Sequence, residues 1–269
     1  MTHKAKPKTK SGDTIDFGFT EVPTGEKASR VRGVFDSVAS SYDVMNDAMS
    51  FGIHRVWKDM TMARVNPQPG EILLDVAGGT GDLSRRFLAR AEAANMRRKN
   101  PSEKRASAIV CDINTEMLLA GQDKDVDGRG RPLNMTRVTG DAQNLPLPDN
   151  CVDVVTIAFG IRNVTDRDMA LRDMRRVLKP GGRFFCLEFS TPPADWLSKI
   201  YDMYSFNVIP AMGGVIAGDK DSYQYLVESI RKFPRQQAFA DMMSEAGFGR
   251  VSWTDYTGGV AALHQGWKV

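Results

Sequence analysis

Leu73-Leu74-Asp75-Val76-Ala77-Gly78-Gly79-Thr80-Gly81-Asp82 decides the fold. The apolar run from Ile72 to Val76 reads as a buried strand, followed by a glycine-rich turn and then a helix. Glycine lets the backbone turn tightly and approach a ligand closely, because no Cβ intervenes. Asp75 ahead of the turn and Asp112 near the end of the next apolar run predict a negative edge to this loop. Such a loop suits a nucleoside with hydroxyls and a positive charge better than a bare polyphosphate. S-adenosylmethionine, with its sulfonium and ammonium groups, meets that description.

Outward from the loop the chain keeps a strand–helix rhythm. Strands are predicted at 71–76, 107–112, 134–138, 152–158 and 183–189, and helices at 81–94, 115–121 and 167–178. That alternation implies parallel strands with helices on both sides of a sheet. A helix at 235–246 carries Phe239, Met242, Met243 and Ala246 on one side. Strand 248–256, the turn Thr257-Gly258-Gly259 and strand 260–265 then read as an antiparallel hairpin closing one sheet edge. Upstream, Val31, Val34, Phe35, Val38 and Ala39 recur at helical spacing and predict a helix over 28–40. A second helix over 54–64 runs until Pro67 and Pro69-Gly70 break the chain. Residues 95–105 are polar and basic and read as a solvated surface insertion.

The formal net charge is +3, but Lys4, Lys6, Lys8 and Lys10 stand together with no acid among them, and without them the rest is at −1. A general nucleic-acid surface is therefore not implied. An apolar fraction of 42% suffices for a large core. The expected organisation is a disordered basic tail at 1–16 and one domain at 17–269, with a helical cap at 17–69 and a lid or insertion at 195–233. Cys111, Cys151 and Cys186 each sit in apolar, strand-like runs and read as buried reduced thiols rather than a disulfide framework or zinc site. His3, His54 and His264 are scattered without metal-ligand spacing, so no metal site is expected. No apolar run reaches the roughly 18 residues a membrane span needs. The lysine tail lacks the features of a secretion signal or transit peptide, and a cytoplasmic location is expected.

A nicotinamide site wants G-x-G-x-x-G/A, yet Gly79-Thr80-Gly81 is followed by Asp82, Leu83 and Ser84. The missing third glycine and the acid before the turn favour methyl transfer over hydride transfer. A P-loop is excluded, because no Gly-Lys-Ser/Thr follows. Asp112 is placed to accept bonds from ribose hydroxyls, the alternative being a cap for the helix starting near Thr115. Asp141-Ala142 can lie against an adenine, although an ordinary turn explains these residues equally well on their own.

Asp75-Val76-Ala77-Gly78-Gly79-Thr80-Gly81-Asp82, Gly140-Asp141-Ala142, Phe159-Gly160-Ile161-Arg162-Asn163-Val164 and Leu178-Lys179-Pro180-Gly181-Gly182 together resemble class I S-adenosylmethionine-dependent methyltransferases. Tyr42-Asp43-Val44-Met45-Asn46-Asp47, Ser50-Phe51-Gly52-Ile53-His54-Arg55, Tyr204-Ser205-Phe206 and Ser222-Tyr223-Gln224-Tyr225-Leu226 narrow the resemblance to the ubiquinone/menaquinone biosynthesis C-methyltransferases. It runs from about Phe35 to the C-terminus. It implies an α/β, Rossmann-like fold: a seven-stranded, mostly parallel sheet with an antiparallel C-terminal hairpin and helices on both faces. It also implies S-adenosyl-L-methionine as cofactor and a polyprenylated hydroquinone as acceptor, either 2-methoxy-6-polyprenyl-1,4-benzoquinol, demethylmenaquinol or both. Thr80, Asp112, Asp141 and Ala142, with Gly78 in the turn, would line the cofactor site. Ala158 departs from the Ser of many relatives and removes one hydroxyl contact.

The sulfonium methyl is already activated, so the protein's task is to align the reactants and make a ring carbon nucleophilic. Deprotonating a hydroquinone hydroxyl, with a pKa of order 10, does this. The resemblance implies that Arg162, Asn163 and Tyr42 lie on the acceptor side. Arg162, a poor base, is expected to stabilise charge, and Asn163 and Tyr42 to hold a water that takes the proton. His54 is a reserve base, with a structural role the stronger reading. Residues 195–216 carry Trp196, Ile200, Tyr201, Tyr204 and Val208 on one helical face. That face can be core, a homodimer contact, or a prenyl-binding lid that leans on the inner face of the membrane, and a quinone-biosynthesis complex is a further expected partner. Competing functions are an O- or N-methyltransferase, an NAD-dependent dehydrogenase, or a non-catalytic cofactor-binding protein.

Overall fold

Thr14–Phe17 (β1) and Thr20–Pro23 (β2) pair antiparallel in the computed structural model, which describes residues 14–38, 50, 52–194 and 220–269. The expected tail to residue 16 is therefore corrected at its end. Thr14, Ile15 and Asp16 belong to a hairpin whose register pairs Thr14 with Pro23 and Phe17 with Thr20. Thr24–Val38 follows as helix α1, and His54–Val65 as α2. Asn66 ends α2 in the left-handed conformation, φ 49°, just before Pro67.

The main sheet contains Ile72–Val76 (β3), Ser107–Asp112 (β4), Met135–Thr139 (β5), Val152–Ala158 (β6), Leu178–Phe189 (β7), Gly249–Tyr256 (β8) and Ala261–Trp267 (β9). Their spatial order is β5-β4-β3-β6-β7-β9-β8. The first five are mutually parallel, and β9 runs antiparallel to both β7 and β8. The crossovers are Asp82–Met96 (α3), Thr115–Ala120 (α4) and Arg167–Val177 (α5), and Lys220–Lys232 (α6) and Gln236–Glu245 (α7) lie before the final hairpin.

Side chains alternate across a strand, and two cores result. Leu73, Phe185 and Leu187 pack with Trp57 and Met62 of α2, Phe87 of α3 and Leu226 of α6. Their sequence neighbours Leu74, Phe184 and Cys186 turn the other way, onto Met174 of α5 and Phe239 and Met243 of α7. Burial on both faces is why these strands read as continuous apolar runs. Cys111, Cys151 and Cys186 are free thiols, with Cys151 only half-buried.

Strand β7 begins five residues earlier than its apolar run. Val152 pairs with Leu178, the register shifts, and Val154 then pairs with Arg183. Gly181 (φ 78°) donates its N–H to Lys268 O at 2.7 Å, and Lys268 N–H returns a bond to Gly182 O at 2.9 Å. The Pro-Gly-Gly turn is thereby stitched to the sheet edge.

Candidate active site

The loops leaving β3, β4, β5 and β6 converge at the carboxyl ends of the strands, where open α/β sheets bind ligands. After β3 the chain turns through Ala77 (φ 50°), Gly79 (φ 51°) and Gly81 (φ 83°). Gly78 donates to Cys111 O at 3.2 Å, and Gly81 to Gly78 O at 2.8 Å. A Cβ on Gly78 would stand 2.7 Å from Val110 Cγ1 and 2.9 Å from Asp75 O, so only glycine lets the loop lie this close to β4.

Asp112 is tied into the same turn. Its Oδ2 accepts the Gly79 N–H at 2.9 Å and its Oδ1 the Asn114 N–H at 2.8 Å. Burial pushes its carboxyl up while these backbone donors pull it down. The cap of α4 is Asn114, whose side chain accepts from Met117 N–H at 3.2 Å. Asp112 is thus not the helix cap, and each of its oxygens keeps a lone pair for a ligand diol.

A cleft enclosing about 830 Å³ of empty space, its mouth included, opens here. Of the predicted site residues, Asp112, Asp141, Ala142 and Asn163 line it. Asp141 also closes an Asx-type turn, accepting Gln143 N–H at 2.9 Å. Gly79 stands in the lining, whereas Gly78 lies behind it. Thr80 is not part of the lining. Its carbonyl accepts from Arg85 Nη1 at 2.8 Å and Arg137 Nη2 at 3.0 Å, which holds this end of the loop against β5.

Asp75 corrects the expected negative edge. It is buried beneath the loop, where Thr156 Oγ1 donates to Oδ1 at 2.8 Å and Ser84 Oγ to Oδ2 at 3.0 Å. Burial raises its carboxyl to about 6. The strand's last acid thus braces the loop from below and does not face a ligand.

Arg162 was expected on the acceptor side of the site. It lies in a short helical turn, Ile161–Asn163, and is buried. Nη1 donates to Glu188 Oε1 at 2.7 Å and to Phe159 O at 2.7 Å, and the guanidinium sits 5.7 Å from the Phe189 ring centroid. It is absent from the cleft lining, and its charge is met inside the protein. The cap of α5 is Asp166, which accepts Met169 N–H at 2.8 Å. His54 is buried at the start of α2 and does not line the cleft. Tyr42 lies outside the described residues, as does the aromatic stretch at 195–216.

Residues not foreseen complete the walls: Ile113, Met117 and Phe159, and from α1 Ala28, Val31 and Arg32. Ile113 follows the strand-end acid directly and Met117 lies in the first turn of α4, so both carried a readable signal. The α1 residues carried none, because their placement depends on packing. Phe159 is held at φ 56° with its ring 4.7 Å from that of Phe189.

The donor set fits an adenosyl cofactor. Two carboxylates line the cleft, Asp112 and Asp141, with apolar Ile113, Met117 and Ala142 beside them. Such walls receive hydroxyls, a purine and positive charge, and would repel a polyphosphate.

The model of the ubiE/COQ5 methyltransferase family matches residues 23–268. The chain belongs to that family. It is 56% identical, over 96% of its length and 100% of the relative's, to the ubiquinone/menaquinone biosynthesis C-methyltransferase UbiE of Caulobacter vibrioides. It is 50% identical, over 94% of its length and 84% of the relative's, to the mitochondrial 2-methoxy-6-polyprenyl-1,4-benzoquinol methylase of Mus musculus. Among solved structures it resembles a SAM-dependent methyltransferase from Aquifex aeolicus, with a TM-score of 0.57 at 17% identity, covering 87% of this chain and 98% of that one. Family and fold agree on a class I methyltransferase architecture, which removes the dehydrogenase reading. Among the described residues, no helix is long and apolar enough to cross a membrane.

Proposed function

We propose that this chain transfers the methyl group of S-adenosylmethionine to a ring carbon of a polyprenylated hydroquinone, 2-methoxy-6-polyprenyl-1,4-benzoquinol, demethylmenaquinol or both. The observation that carries this reading is the near-full-length identity to relatives from a bacterium and a mouse whose names share quinone-ring methylation. The geometry of the cleft supports it.

When bound, the cofactor supplies an electrophilic methyl group. Asp112 would accept the ribose hydroxyls, and Asp141 and Ala142 would flank the adenine beside Ile113 and Met117. Val31 of α1 and Phe159 offer apolar surface for the acceptor ring. Asn163 is a polar side chain in the lining close to Phe159. It would hold the water that removes the phenol proton, together with Tyr42, and would donate to the oxygen as charge grows there. Arg162, held by Glu188 and the Phe159 carbonyl, would lend its positive charge to the acceptor side, and Thr80 would join Asp112 at the cofactor. The segment 17–69 acts as a cap and 195–233 as a lid for the prenyl chain. Contact with the inner face of the membrane, a homodimer and a quinone-biosynthesis complex belong to the same reading.

The test uses purified protein, methyl-¹³C-labelled cofactor and short-chain benzoquinol and naphthoquinol acceptors kept reduced. The expected product carries the label on a ring carbon, with loss of one ring-proton resonance. A label on oxygen, or no product from either acceptor, would defeat the proposal.

A further inference from the structure

Asn163 reaches the cleft, yet the side chain that holds it comes from 62 residues further along. Tyr225, on α6, donates its hydroxyl hydrogen to Asn163 Oδ1 at 3.0 Å. The residue is 4% exposed, and its ring stacks on Phe17 of β1, with centroids 4.1 Å apart and planes 20° from parallel. The β1–β2 hairpin is fastened to the same helix twice more. Phe19 N–H donates to Glu228 Oε2 at 2.9 Å, and Lys232 Nζ lies 3.2 Å from Asp16 Oδ1. Tyr225 is therefore gripped on its ring face and at its oxygen.

That hydroxyl keeps its proton for a physical reason. The positive charges of Arg162 and Arg167 act on Tyr225, and Arg167 Nη2 donates to Arg162 O at 3.2 Å, which keeps the two groups together. Burial pushes the phenol up to about 12, so it keeps its proton and remains a donor across the working range. An amide whose oxygen is engaged in this way has its two N–H donors left for another partner.

We propose that Tyr225 is a positioning residue for the methyl transfer: it clamps the Asn163 carboxamide oxygen so that the N–H donors face the acceptor oxygen in the cleft. This rests on the reading of Asn163 as an acceptor-side group. A donor fixed in advance at the place where negative charge develops contributes to the rate, whereas one free to rotate loses part of that gain. The N-terminal hairpin then belongs to the same device, because Phe17 backs the ring that holds the amide.

The experiment is a double-mutant cycle of Tyr225→Phe and Asn163→Ala. Phenylalanine keeps the stack on Phe17 and removes only the hydroxyl. Tyr225→Phe is expected to lower kcat about tenfold, with the calorimetric Kd for S-adenosylhomocysteine and the unfolding midpoint nearly unchanged. Asn163→Ala is expected to lower kcat by about a hundredfold, and adding Tyr225→Phe to it should cost nothing more. Losses that simply add, or full kcat in Tyr225→Phe, would overturn the positioning role while leaving Asn163 in place. Full kcat in Asn163→Ala would instead bring down the acceptor-side reading itself, and the proposal with it.

Discussion

Arg162 Nη1 lies 2.7 Å from Glu188 Oε1, with each side chain 1% exposed. Phe189 N–H also donates to Glu188 Oε1, at 2.9 Å, so the buried carboxylate is well satisfied. Burial raises the Glu188 carboxyl, and Arg162 opposes that rise most strongly among its neighbours. A buried pair contributes little net stability, but removing one partner strands the other. Arg162→Met is therefore expected to destabilise the protein by about 3–5 kcal/mol. The double variant Arg162→Met, Glu188→Met should recover most of that loss, as read by chemical denaturation. The same variant tests the proposed action of Arg162 on substrate charge. A stable, fully folded Arg162→Met protein with abolished turnover would support it.

Gly160 and Ala77 bring the loops after β6 and β3 into contact. A Cβ on Gly160 would stand 2.6 Å from Ala77 Cβ, closer than two carbons can approach. Gly160→Ala should push the loops apart, weaken S-adenosylhomocysteine binding about tenfold and lower the unfolding midpoint. Ala77→Gly removes the opposing methyl and also suits the φ of 50° at that position. Combined with Gly160→Ala, it should restore most of the affinity. Failure to rescue would show that the damage lies elsewhere.

Asp75 gives stability a predictable pH dependence. Burial raises its carboxyl from 3.8 to about 6, against the bonds from Thr156 and Ser84. The folded state thus keeps a proton that the unfolded chain releases. The stabilisation is fully present below about pH 4 and is lost as pH rises through about 6. Asp75→Asn does not titrate. Relative to wild type it should gain roughly 3 kcal/mol between pH 4 and pH 7, measured by denaturation at each pH. A difference that stays flat across that window would refute the assignment.

Asp112 organises the cofactor loop before any ligand arrives, through Gly79 and Asn114. Asp112→Ala removes the acceptor for the Gly79 N–H and the proposed acceptor for the ribose together. S-adenosylhomocysteine should bind at least about tenfold more weakly, the value of one charge-assisted bond. Asp112→Asn should fall between the two. Unchanged affinity by calorimetry would remove Asp112 from the site.

Much of this architecture was legible in the chain. Strand 107–112 was read as it stands, and α3, α5 and α7 begin and end within about two residues of their apolar periodicity. The β1–β2 hairpin was not legible. Its strands are four residues long, and the alternation of Thr14-Ile15-Asp16-Phe17 is too short to stand out beside a polar, basic tail. The early start of β7 was hidden by Pro180 and two glycines, which read as a turn until Lys268 paired with them.

The site divided along the same line. Asp112, Asp141, Ala142 and Asn163 were visible because they sit next to strand ends, and a strand end in a parallel sheet lies at the ligand edge. Thr80 shares that position, and its carbonyl is held by Arg85 and by Arg137 of β5, the second a contact that no local pattern encodes.

The order of residues alone determined the strand–helix alternation, the glycine turn and the acid beyond it, because each depends on backbone conformation and periodicity within a few positions. Only the tertiary structure decided which charges stay available. Ala158 of β6 pairs with Leu187 of β7 in parallel register, so the turn just beyond β6 comes to lie beside Glu188, and the Arg162 guanidinium gains a carboxylate partner. Packing of α6 and the hairpin likewise delivered Tyr225 to Asn163. Such partnerships span 26 and 62 residues. They are set by register and packing rather than by neighbours in the chain.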